Sequence, residues 1–173
     1  MPSVNGYAAL FQNETVIAGE FRERIARGAF SKSLRDADVV ALLDHDTGRV
    51  IGRKSVGTLT LREDLIGLWV SIDVDNSTPE GQTVLGAVTR QDLKGMSFGF
   101  RVRKEEWADG GSRLPLRTLT EIELHEVSVV AFPAYERTSI VLSRSTPQSP
   151  RESQANAGRR RAEAAMRRRG IPV

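Results

Sequence analysis

The 173-residue chain contains no cysteine, which excludes disulfides and thiolate metal sites and suits a reducing compartment. It holds two histidines, His45 and His125, so any imidazole chemistry rests on one of them. Aromatic residues are few: two Trp, two Tyr and six Phe, none interleaved with the arginine clusters near the C-terminus. That disfavours a base-stacking nucleic-acid surface. No apolar run approaches the roughly 18 residues of a membrane span. Residues 1–10 lack a basic segment followed by an apolar stretch, so no signal peptide is expected. There is no glycine-rich phosphate loop and no internal repeat. Asp44-His45-Asp46 is too compact to hold a metal, because neighbouring residues on a strand point apart. No cofactor and no metal are therefore expected.

The charge is unevenly spread. The net charge is +3, yet residues 144–173 carry eight Arg against two Glu, a net +6, which leaves 17 basic and 20 acidic residues, a net −3, in residues 1–143. The sequence thus reads as a domain over 1–142 and a basic Ser/Pro/Arg-rich tail over 143–173. The tail opens on Ser143-Arg144-Ser145-Thr146-Pro147-Gln148-Ser149-Pro150, with too little apolar content to offset the entropy of ordering, and disorder is expected there. Its clusters Arg159-Arg160-Arg161 and Arg167-Arg168-Arg169 form either a solvated arm or a site for an acidic partner, whether scaffold, capsid protein or nucleic acid.

The body, 39% apolar over the whole chain, suffices for one core. Strands are expected over 38–43, a short apolar run, over 55–61, which alternates, and over 67–74, 96–102 and 119–132, the last rich in Ile, Leu and Val. A helix should start at Ser77-Thr78-Pro79-Glu80, with Ser77 as cap and Pro79 in the first turn. A second helix is expected between Gly28 and Arg35. The fold class is mainly β with flanking helices, a closed or nearly closed β-barrel surrounded by a few helices.

Three positions stand out chemically. His45 lies in a polar turn at the end of an apolar run, and reads either as a surface residue or as a working side chain at a strand end. Ser97, in Gly95-Met96-Ser97-Phe98-Gly99-Phe100, must either bond a neighbouring carbonyl or face a cleft. Gly95-Met96-Ser97-Phe98-Gly99 matches the nucleophile-elbow spacing, but its surroundings are strand-like. Glu126, in Leu124-His125-Glu126-Val127-Ser128, needs a partner in so apolar a strand: an arginine, or an imidazole that becomes cationic. Alternation puts Leu124, Glu126 and Ser128 on one side and His125, Val127 and Val129 on the other.

Five segments in order resemble the prohead proteases of tailed phages of the HK97 type. They are Gly28-Ala29-Phe30 with Ser33-Leu34; Leu43-Asp44-His45-Asp46 with Val50-Ile51-Gly52-Arg53; Gly67-Leu68 ahead of the Ser77 helix; Met96-Ser97-Phe98-Gly99-Phe100; and Leu124 to Ala134. The family is similar in fold to the herpesvirus assemblins, β-barrels ringed by helices. The resemblance implies a serine endopeptidase that cleaves scaffold protein, or the scaffolding segment of the major capsid protein, and itself as well. Ser97 would be the nucleophile, His45 the base and Glu126 the orienting residue, with His125 the rival third member. It implies an oxyanion loop over Pro133–Arg137, involving Ala134, Tyr135 and Arg137, although Pro133 has no N–H to give. It further implies a homodimer, no membrane, and action in the bacterial host cytoplasm inside the immature head. The tail would be a packaging signal or be self-cleaved. The competing reading is a non-enzymatic head-assembly or nucleic-acid-binding protein acting through the basic tail.

Overall fold

A computed structural model describes residues 1–133, 135 and 138–143; the basic tail expected over 143–173 lies outside them apart from Ser143. Ten strands and two helices follow in the order β1 (Ser3–Leu10), β2 (Thr15–Ile17), β3 (Phe21–Ile25), α1 (Ser31–Asp36), β4 (Val40–Leu43), β5 (Asp46–Arg53), β6 (Leu59–Glu63), β7 (Gly67–Asp73), α2 (Pro79–Arg90), β8 (Gly95–Ala108), β9 (Leu116–Val130) and β10 (Ser139–Ser143). The mainly β expectation with flanking helices holds.

The expected barrel does not. Among the described residues the strands form two open sheets, one in the order β10-β1-β7-β6 and one in the order β2-β3-β9-β4-β5 with β8 added beside β9. β8 is one of the open edges among the described residues. There the backbone N–H and C=O of Met96 are taken by the Thr138 hydroxyl rather than by a neighbouring strand.

β9 organises the second sheet. β8 runs antiparallel along one side of it, from Gly95↔Val130 to Ala108↔Leu116. On its other side β3 pairs in parallel with its first part and β4 with its last part. The stretch between these partners is closed by the α1 region. Ile122 N–H donates to Ala29 C=O at 2.9 Å, while the Ser33 hydroxyl donates to Ile122 C=O and accepts from Leu124 N–H. A small helix with a buried serine thus satisfies the backbone groups that a missing strand would leave exposed.

The main core lies between the sheets and under the helices. Met96, Phe98, Leu124, Val127 and Val129 meet Val4, Ala8, Val70 and Ile72, with Phe30, Val84 and Val88 from the helical segments. Phe30 is fully buried, lies 6.2 Å from the Phe11 ring and meets Phe98 edge-on at 5.6 Å.

Local chemistry shifted several boundaries. α2 is capped by Thr78, not Ser77: Thr78 Oγ1 accepts from Gly81 N–H at 3.1 Å, while Ser77 spends its hydroxyl and N–H on Asp75 Oδ1. The strand expected over 55–61 begins only at Leu59. Strict alternation along β9 also fails. Gly99 pairs with Glu126 but Phe100 with Leu124, so His125 is the extra residue of a bulge. The bulge reverses the phase, and Leu124 enters the core with Val127 and Val129 instead of sharing the face of Glu126 and Ser128.

Candidate active site

His45 owes its position to a two-residue hairpin turn. Leu43 of β4 pairs with Asp46 of β5, leaving Asp44 and His45 as the loop, with φ of +55° and +60°. Positive φ at both central residues is the mirror-type turn that suits the twist of a hairpin. Asp and His tolerate this region better than most side chains. The turn is pinned to β9: Asp44 N–H donates to Val129 C=O at 3.0 Å, and His45 N–H donates to Ser128 Oγ at 3.2 Å.

Glu126 meets the imidazole. His45 Nδ1 and Glu126 Oε1 are 2.7 Å apart, with the histidine side chain about half exposed and the carboxylate largely covered. A carboxylate only accepts, so Nδ1 carries a proton, and in the neutral ring the lone pair is on Nε2. The second carboxylate oxygen is held as well, since Ser128 Oγ donates to Glu126 Oε2 at 2.5 Å. Ser128 therefore ties the acid to the backbone of the base. Its motif position, two residues after Glu126 on the same side of the strand, was the available signal for this role. The carboxylate needs room, and Gly99 supplies it: a Cβ there would lie 2.5 Å from Glu126 Oε1.

Ser97 stands in the same array. It pairs directly with Ser128 in the β8–β9 ladder, two residues from the Gly99↔Glu126 pair. Directly paired residues project to one face, so Ser97, Ser128 and Glu126 share the side opposite Met96, Phe98, Val127 and Val129. Ser97 is buried, and among the described residues its hydroxyl makes no hydrogen bond, either to a carbonyl or to the His45 ring. A nucleophile–base contact is commonly looser in a free enzyme and tightens on the substrate.

The other expected residues fall elsewhere. His125, in the bulge, is exposed and makes no hydrogen bond to His45. Ala134 and Arg137 lie outside the described residues. Tyr135 is buried; its ring stacks on Phe98 at 5.5 Å and its hydroxyl donates to Glu23 Oε1 at 2.6 Å. Burial first, and then the neighbouring Glu23 carboxylate, push its ionisation far above the usual tyrosine range. No group of three or more His, Asp or Glu among the described residues is placed to hold a metal.

Chemically, the arrangement can carry acyl transfer: an imidazole with Nδ1 held by a carboxylate, and a serine hydroxyl without a hydrogen bond among the described residues on the adjoining strand. The family model described as "Caudovirus prohead serine protease" matches residues 1–151. Among solved structures, the KSHV protease, crystallised with a hexapeptide phosphonate inhibitor, is similar in fold at a TM-score of 0.52 and 11% identity, with 94% of this chain and 76% of that chain covered. The varicella-zoster virus protease aligns at 16% identity and a TM-score of 0.48, over 90% of this chain and 73% of that one. No curated protein matches the chain.

Proposed function

Because the chain belongs to the caudovirus prohead serine protease family, we propose that Ser97 is its nucleophile, His45 its general base and Glu126 the residue that orients the base. The protein is a serine endopeptidase of phage head maturation. Its substrate is the scaffold protein, or the scaffolding segment of the major capsid protein.

Ser97 Oγ attacks the scissile carbonyl carbon while His45 Nε2 takes the hydroxyl proton. Glu126 stabilises the resulting imidazolium through Nδ1–H. The tetrahedral adduct collapses as the imidazolium returns the proton to the leaving amine and the C–N bond breaks. Water, deprotonated by His45, then attacks the acyl-enzyme and frees Ser97. The oxyanion falls to N–H donors of the loop that follows β9, in which Ala134, Tyr135 and Arg137 are the candidate residues.

One observation carries the reading: the 2.7 Å contact of His45 Nδ1 with a carboxylate whose other oxygen is held by Ser128, the direct ladder partner of Ser97. Replacing Ser97 by Ala should abolish scaffold cleavage while circular dichroism stays that of the parent. Normal processing by S97A would overturn the assignment. The same proposal extends to a homodimer, to action within the immature head, and to an acidic partner for the arginine clusters beyond residue 143. These extensions rest on the family and on the charge of that segment.

A further inference from the structure

Among the described residues, β8 carries Ser97 on a strand with one hydrogen-bonded neighbour, β9. A strand edge of this kind leaves backbone groups without partners. At the residue just before the nucleophile both groups are nevertheless satisfied, and by a single atom. Thr138 Oγ1 accepts from Met96 N–H at 3.2 Å and donates to Met96 C=O at 2.8 Å. Thr138 is 2% exposed and Met96 fully buried, so neither group of Met96 has water as a substitute.

The contact is one of three from the same loop. Pro133 packs on Gly95, where a Cβ would come within 2.6 Å of Pro133 Cγ. Tyr135 stacks on Phe98 with its ring inclined by 18°, and its hydroxyl is anchored on Glu23. Thr138 N–H donates to Tyr135 C=O at 3.1 Å, which ties these two residues together. Residues 95, 96 and 98 are thus each gripped by the loop, and Ser97 alone in that stretch keeps a hydroxyl without a hydrogen bond among the described residues.

We propose that Thr138 is a positioning residue for the peptidase reaction: its hydroxyl takes the place of a missing strand at Met96 and fixes Ser97 relative to the loop after β9. This rests on Ser97 being the nucleophile. Only a hydroxyl at this position can both accept and donate through one atom. Valine has the same outline but loses both bonds, and a shift of the nucleophile by about 1 Å can cost on the order of 100-fold in rate.

The test compares T138V and T138S with the parent chain, using scaffold cleavage and the rate constant of labelling by a serine-reactive phosphonate. T138V is expected to lose roughly 10- to 100-fold in kcat and a similar factor in labelling rate, with KM near its parent value. T138S, which keeps the hydroxyl, should recover most of both. The labelling rate constant does not depend on how much folded protein is present, so partial misfolding of T138V does not obscure the result. Parent-like kcat and labelling in T138V, or no recovery in T138S, would overturn the proposal. Failure of the underlying assignment looks different: the parent chain itself would not be labelled at Ser97.

Discussion

At the scale of single residues, the His45–Glu126 contact decides which proton the base can take. With Nδ1–H committed to Glu126 at 2.7 Å, Nε2 is the free nitrogen. Glu126→Gln can turn its amide nitrogen toward Nδ1 and reverse the tautomer, so kcat should fall by roughly 100- to 10,000-fold. His125→Gln should leave kcat close to the parent, because His125 is exposed and makes no hydrogen bond to the base. Cleavage kinetics of the two variants side by side check this, and a larger loss with H125Q would reverse the assignment. The sequence offered Ser97 and His45 as candidates only through the order of the surrounding motifs, since each alone reads equally as a turn or core residue. Glu126 and His125 were adjacent, and nothing local separates adjacent residues once a bulge intervenes. Alternation puts Ser128 on the side of Glu126, but the two hydrogen bonds that give it a role are set by the His45 turn, distant in sequence.

At the scale of elements, the site depends on the irregularities of the strands more than on their regular parts. The mirror-type turn at Asp44–His45 aims the base, and the His125 bulge sets which face Glu126 takes. Gly99 is the matching vacancy on β8. A methyl group there meets the flexible end of Glu126 rather than backbone, so the carboxylate moves at little cost in stability but away from His45. Gly99→Ala should therefore lower kcat about tenfold or more while the thermal midpoint stays nearly constant. Parent-like turnover in G99A would show that the close fit is incidental. Strands marked by runs of apolar residues, such as β4 and β7, were legible in the sequence. The bulge and the short strands β2 and β3 were not, because their geometry comes from pairing partners distant in sequence, such as Arg22↔Leu116.

At the scale of the whole molecule, the two sheets stay open, and side-chain hydroxyls complete the backbone pairing where strands are missing. Ser33 does this on β9 and Thr138 on β8. The barrel expected from many strands and few helices failed here, since strand content does not say whether a seam is closed by a strand or by a loop. Stability should respond to pH through Tyr135. Its folded-state ionisation is raised, by burial and then by Glu23, above that of an unfolded tyrosine near about 10. The folded state keeps a proton that the unfolded state releases, so this contribution is intact below about pH 10 and is lost as pH rises beyond it. Urea midpoints at neutral pH and above pH 10 should fall more in the parent than in Tyr135→Phe, and equal slopes would contradict the assignment. On the proposed assignment, scaffold processing depends on the face shared by Ser97, Ser128 and Glu126, together with the turn that brings His45 to it. The most direct test of that claim is to label the full chain with a serine-reactive phosphonate and map the adduct by mass spectrometry. The adduct is expected on Ser97 alone and absent in S97A. An adduct on another serine, or none on a chain that still cleaves scaffold, would contradict the account.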